Sequence, residues 1–128
     1  MSDLQQFENQ AFLSLATLRK NGQRVLTPVW FAQVGTTLYI STSLDSGKVK
    51  RIRSNPAVEL NPCTMQGGLL GSWVPARAHV ASEQEALDAE AALDARYGEA
   101  RRDFMRRNPM PSGRRAYLVV QAGQDQAA

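Results

Sequence analysis

The stretch AFLSLATLRKNGQRVLTPVWFAQV, residues 11–34, decides the fold. Its first half, AFLSLATLR, is a short β-prone run. It meets KNGQ, whose Asn21-Gly22 pair can take the positive φ angles of a type I′ turn. RVLTPVWFAQV follows, so Phe12 to Val34 predicts a hairpin. Pro28 within the second run has no N–H to give to a ladder, which places that strand at an edge or a bulge. Gly35-Thr36 then turns the chain into TLYIST, a third strand of a meander.

Beyond the meander, Ser46 or Asp45 can cap a short helix running through Arg53. Asn55-Pro56 ends it, because a residue before proline is pushed out of the helical region. AVELNPC reads as a fourth strand, MQGGLLGS as a loop, and WVPARAHV as a fifth strand with strict alternation. Val74, Ala76, Ala78 and Val80 share one face of it; Trp73, Arg77 and His79 share the other. Ser82 with Glu85 forms a capping box opening the main helix. Ala86, Ala89, Leu93 and Tyr97 line one side of that helix, and Gly98 suits its left-handed end. The Arg-rich stretch to Pro111 reads as a short helix plus loop, and AYLVVQA as the last strand. Residues 1–7 and 123–128 are expected to be loose. Six antiparallel strands, one main helix and one short helix in a single domain over 1–128 predict a small barrel.

Composition bounds the function. The 128 residues suit one core, and 43% hydrophobic with 21% charged residues is ordinary for a globular domain. No apolar run approaches the roughly 20 residues of a membrane-spanning helix. The first residues lack a basic segment followed by an apolar one, so a cytoplasmic location is expected. A single cysteine, Cys63, cannot form an internal disulfide, and the sequence has no metal-ligand spacing. The net charge of +3 is uneven. Lys48, Lys50, Arg51 and Arg53 form one basic block; Arg101, Arg102, Arg106, Arg107, Arg114 and Arg115 form another, with an acidic segment between them.

In STSLDSGKVKRIRSNP, residues 41–56, helical periodicity puts Val49 and Ile52 toward the core. Lys48 and Arg51 then share one flank. The free N–H groups of the first turn attract phosphate through hydrogen bonds and the helix dipole. Ser41, Thr42 and Ser43 end the preceding strand within reach of the same spot. On these residues alone, an anion grip and a solvated basic face stand equal.

LATLRKNGQRVLTPVWF, LYISTSLDSGKVKRIRSNP and GSWVPARAHV together resemble the split-barrel family related to pyridoxamine 5′-phosphate oxidase, over about residues 10–98. The nearest likeness is to the branch that uses coenzyme F420, a deazaflavin. That resemblance implies a homodimeric split β-barrel with a deazaflavin, or alternatively FMN, at each subunit interface. It implies that Thr42, Ser43, Lys48 and Arg51 hold the cofactor phosphate and that Thr27, Pro28, Val29 and Trp30 lie along the tricyclic ring. Trp73 would stack on the ring or close the pocket from the partner, or else serve as a barrel-end core aromatic. The expected activity is hydride transfer between the reduced cofactor and a small organic substrate, with no catalytic side chain named. A non-catalytic carrier of the same cofactor is the alternative.

Two further expectations concern the arginines and the lone histidine. Arg101, Arg102, Arg106 and Arg107 could meet the carboxylates of the F420 tail. The two basic blocks could instead track nucleic acid, but no recognition-helix or aromatic RNA-binding motif accompanies them. His79, Cys63, Tyr39 and Tyr97 read first as packing or surface residues. The chain is short for pyridoxamine phosphate oxidase proper, whose C-terminal arginine and histidine pattern is not found here.

Overall fold

The structure, a computed structural model, describes residues 3–8, 10–107 and 115–122. The hairpin forms where its two apolar runs meet. Strand β1 (Phe12–Leu18) pairs antiparallel with β2 (Arg24–Trp30), with Leu15 opposite Thr27 and Phe12 opposite Trp30. Its turn is not type I′. The Arg19 carbonyl accepts from Gly22 N–H at 2.8 Å, so Lys20 and Asn21 are the central pair. Gly22, at φ +87°, takes the bulge position after them. A three-residue loop of this kind needs positive φ at the glycine alone.

The run expected as one long second strand divides at Phe31. Residues Ala32–Val34 form a separate strand, β3, which pairs with β4 (Thr37–Ser43). With β5 (Ala57–Cys63), β6 (Val74–Val80) and β7 (Arg115–Ala122), the sheet has seven strands in the order β2-β1-β5-β6-β7-β4-β3. The six-strand expectation is corrected by this division, and β2 and β4 do not meander as neighbours. The two edge strands, β2 and β3, are consecutive in the chain, so the curled sheet is joined end to end through Phe31. Pro28 therefore sits on an edge strand, where its missing N–H costs no ladder bond.

The inward face of this sheet carries the core: Leu13, Leu15, Leu38, Ile40, Leu60, Leu118 and Val120 are all fully buried. Helix α1 (Gly47–Ser54) adds Val49 and Ile52 to the same cluster. The N-terminal residues expected to be loose form a 3-10 helix over Asp3–Phe7, and Phe7 is fully buried, edge-on to Phe31 at 5.9 Å. Burial of such a ring contributes about 1.5–3 kcal/mol. The expected loose tail, 123–128, lies outside the described residues.

Helix α2 (Glu83–Tyr97) starts with the expected capping box. It packs Ala89 and Leu93 on Ala32 and Tyr117, against the outward face of the sheet. Gly98, at φ +52°, ends it. A third helix, α3 (Glu99–Arg107), follows without a loop and is longer than the short helix expected there. Arg101 fastens it: only 4% exposed, its guanidinium donates to Asp94 at 2.6 Å and to the Tyr117 hydroxyl at 3.3 Å. Tyr117 in turn donates to Glu90 at 2.8 Å. No helix of the described residues is long and apolar enough to cross a membrane.

Candidate cofactor site

The site grows from the start of α1. Ser46 adopts extended backbone angles and its Oγ accepts from Val49 N–H at 3.3 Å, the ordinary N-cap bond. Thr42 Oγ1 donates to the same Ser46 oxygen at 3.3 Å, tying the end of β4 to the helix start. Because Val49 and Ile52 are buried three residues apart, Lys48 and Arg51 are carried together on one flank. Arg53 lies exposed on another.

Arg51 folds back over the first turn. Its Nε donates to Thr17 Oγ1 at 2.6 Å, and Thr17, on β1, is 1% exposed. The guanidinium rests in the space that a side chain at Gly47 would fill, since a Cβ there would stand 2.7 Å from Nη1. Burial pushes the Lys48 pKa down, and the neighbouring Arg51 charge pushes it the same way. Arg51 is lowered too, by burial and then by Arg19. No carboxylate among the described residues pairs with either cation. Three like charges converge on a partly dry spot with no counter-charge, an arrangement that gains stability when an anion enters.

The strand alternation separates two residues expected to act together. Thr42 points inward to Ser46 and is 7% exposed. Ser43 points to the other face, where its Oγ accepts Asp45 N–H at 3.3 Å and closes the turn. Nearby, Ser41 Oγ accepts from Arg115 at 2.8 Å. The start of α1 thus has Thr42 beside it, while the Ser43 side chain faces away.

Thr27, Pro28, Val29 and Trp30 occupy the second half of β2, whose outer edge pairs with no strand among the described residues. Thr27 and Val29 share the face of Leu15 and Leu13; Pro28 and Trp30 share the opposite face with Ser14 and Phe12. Thr17, which holds Arg51, stands opposite Val25 on the same strand, so the basic cluster and this edge are neighbours. Trp30 stacks on Tyr97 at 5.1 Å and 19°, and lies 6.3 Å from Phe12. Trp73 has other company: the Arg24 guanidinium covers its ring at 4.3 Å, while pairing with Glu59 at 2.9 Å. The two indoles therefore have different neighbours.

The second arginine block is mostly engaged. Arg101 is part of the core and is unavailable to a ligand, which corrects the expectation that it meets a cofactor tail. Arg102 pairs with Glu99, and Arg106 and Arg107 both pair with Asp103. These last are exposed ion pairs of small energy, about 0–1 kcal/mol each. His79 Nε2 binds the Glu85 carboxylate at 2.9 Å on the surface. Ser82 N–H, then His79, hold that carboxyl below its usual range. Cys63 is buried, and burial pushes its thiol up, away from a reactive thiolate. Among the described residues no group of His, Cys, Asp and Glu could hold a metal ion. Two surface grooves, one beside β3 and Arg96 and one between α2 and α3, do not include Lys48 or Arg51.

Sequence reasoning missed Thr17, Gly47 and Arg19. Thr17 had a signal, a hydroxyl inside the apolar run FLSLATL. The role of Gly47 follows only from where Arg51 folds.

An antiparallel barrel open along the outer edge of β2, with a basic helix start beside it, is a split barrel. The family model described as pyridoxamine 5′-phosphate oxidase matches residues 3–124, and the chain belongs to that family. Among solved structures it is similar to an F420 reductase, at 20% identity over 95% of this chain and 94% of that one, TM-score 0.58. It is similar to the heme storage protein HutZ of Vibrio cholerae, at 15% identity over 95% and 89%, TM-score 0.70. A third likeness is to General Stress Protein 26 of Bacillus anthracis strain Sterne, at 16% identity over 91% and 82%, TM-score 0.61. At these identities the likeness establishes the fold. No curated protein matches the sequence.

Proposed function

We propose that this chain is a homodimeric oxidoreductase that binds a deazaflavin, coenzyme F420, in preference to FMN. The observation that carries the reading is the Lys48–Arg51 pair: two partly desolvated cations, without a carboxylate partner among the described residues, at a capped helix start. Gly47 keeps the Arg51 guanidinium in place, and Thr17 fixes its tilt. These donors fit a phosphate group, with Thr42 beside them. The outer edge of β2 over Thr27–Trp30 suits the flat ring, since no strand among the described residues pairs along it. The bound cofactor would supply hydride transfer to or from a small organic substrate; the chain orients the ring and excludes water. The likeness to an F420 reductase and the branch resemblance favour F420 over FMN.

A second subunit completes the site in this reading. Leu26, Met65, Leu69 and Leu70 are all exposed. The 64–72 loop reaches Pro28, since a Cβ at Gly67 would stand 4.0 Å from its Cγ. A partner covering this face would also roof the outer edge of β2 with its Trp73 or loop residues.

The test is cofactor titration beside thermal stability of the cofactor-free protein. Hydrogen bonds to a charged group contribute about 1.5–3 kcal/mol each. Lys48→Ala and Arg51→Ala should each weaken binding by about 10- to 100-fold, at roughly 1.4 kcal/mol per tenfold. Arg53→Ala should cost little. Equal small losses in all three would leave only a diffuse basic surface, and tighter binding of FMN than of F420 would reverse the cofactor choice. Reduction of the bound cofactor by substrate, measured in the steady state, separates an enzyme from a carrier.

A further inference from the structure

Phe31 belongs to neither ladder: β2 ends at Trp30 and β3 begins at Ala32. Yet Phe31 is fully buried, and a buried backbone N–H and C=O must find partners. Both find the same one. The Tyr97 hydroxyl accepts Phe31 N–H at 3.2 Å and donates to the Phe31 carbonyl at 2.7 Å, with the Ala11 carbonyl farther off at 3.2 Å. Arg96, the preceding residue, donates to the Phe31 carbonyl at 3.1 Å and to the Gln10 carbonyl, with its guanidinium 4.6 Å from the Phe31 ring. The Tyr97 ring meanwhile stacks on Trp30. Burial pushes the Tyr97 pKa up, so its hydroxyl stays protonated and able to donate at neutral pH. The last turn of α2 thus does for the strand crossing what a ladder does elsewhere.

We infer that Tyr97 is a positioning residue for the ring half of the cofactor site, fixing the free edge of β2 through the Phe31 backbone and Trp30. The inference rests on the proposal that a flavin-type ring lies along Thr27–Trp30. Tyr97 touches no reacting atom in this scheme. It acts through the edge that it holds, while Lys48 and Arg51 act on the phosphate.

The variants are Tyr97→Phe, which keeps the stacked ring and removes the hydroxyl, and Tyr97→Leu, which removes both. Two measurements apply to the full chain. Amide hydrogen exchange of the cofactor-free protein should quicken at least tenfold at Thr27, Val29, Trp30 and Phe31 in Tyr97→Phe, while β5 and β7 keep their protection. Affinity is measured for ligand pairs that share a ring: riboflavin with FMN, which differ in phosphate alone, and the phosphate-free deazaflavin with F420, which differ in phosphate and acidic tail. Tyr97→Phe should weaken both members of a pair by the same factor, about 5- to 20-fold, and Tyr97→Leu by more. Lys48→Ala should weaken only the phosphorylated member.

Exchange that quickens evenly through the sheet, or ring affinity that stays unchanged in Tyr97→Phe, overturns the positioning role and leaves a structural brace. Failure of the phosphate reading shows separately, as Lys48→Ala weakening both members equally. A wild-type chain that binds no ring compound overturns both.

Discussion

Gly47→Ala adds one methyl group and tests the basic cluster without removing a charge. The new Cβ would lie 2.7 Å from Arg51 Nη1 and 3.4 Å from Cζ. Comfortable non-bonded contacts begin near 3.5 Å, so the guanidinium must shift by about 1 Å. Its Nε is tied to Thr17 at 2.6 Å, so the shift either breaks that bond or rotates the fork about it. Either way the donors leave their present aim. The loss of one charge-assisted bond, about 1.5–3 kcal/mol, corresponds to about a 10- to 100-fold drop in affinity. The fold should not suffer, because Gly47 has no positive φ and alanine is the better helix former by up to about 1 kcal/mol. Isothermal titration with F420 and with FMN, beside the melting temperature of the cofactor-free protein, reads both effects. The expected result is weaker binding at equal or higher melting temperature. Unchanged affinity would refute the placement of the phosphate under Arg51.

Lys48→Met should raise cofactor-free stability at pH 7. Its pKa in the folded chain lies below the 10.5 of the free side chain, so the charged form opposes folding. That opposition is complete below the lowered pKa and fades as pH rises toward 10.5. The stability gap between variant and wild type, followed by urea unfolding from pH 7 to 11, should therefore narrow at the alkaline end; a constant gap would contradict the desolvated-cation account. Leu70→Asp, at a residue 54% exposed, should leave the circular dichroism unchanged but convert a dimer to a monomer in light scattering, with loss of cofactor binding. A wild-type monomer that binds cofactor at micromolar concentration would end the shared-site model. Arg101→Ala should destabilise the protein by about 1–3 kcal/mol, since it strands Asp94 and removes the donor to the Tyr117 hydroxyl, whereas Arg106→Ala should stay within about 0.5 kcal/mol of wild type. Equal effects in chemical denaturation would mean that Arg101 is no more buried than its neighbours.

Local signals carried most of the architecture. The capping box at Ser82, the cap at Ser46 and the alternation from Val74 to Val80 all depend on residues within a few positions of each other, and all three formed as read. The division at Phe31 was hidden because VWFAQV contains no glycine or proline, and the break is imposed by the distant Tyr97 and Arg96. Phe7 was hidden by its polar neighbours in SDLQQFEN, where one aromatic gives no period. At the site, helical spacing foretold that Lys48 and Arg51 share a flank. That Arg51 turns back to Thr17, 34 residues away, is a tertiary event that spacing does not encode. Likewise nothing local separates Arg101 from Arg102. One meets Tyr117 in the core and the other faces water because the break at Gly98 sets how α3 leans.

The place of β7 in the sheet bears on how the chain assembles. It lies between β6 and β4, and among the described residues it is the strand whose ladders join the group β2-β1-β5-β6 to the pair β4-β3. Its partners were made long before it: Thr37 and Gln121, bonded side chain to side chain, are 84 residues apart. A nascent chain lacking residues 115–122 would hold two unfinished sheet fragments with raw edges, linked by the Phe31 crossing and by helix α1. Contacts of such long separation form slowly, because loop closure precedes the energy they return. The barrel is thus a keystone structure: its joining strand arrives after every other strand, and until then the molecule is most exposed to edge-to-edge aggregation.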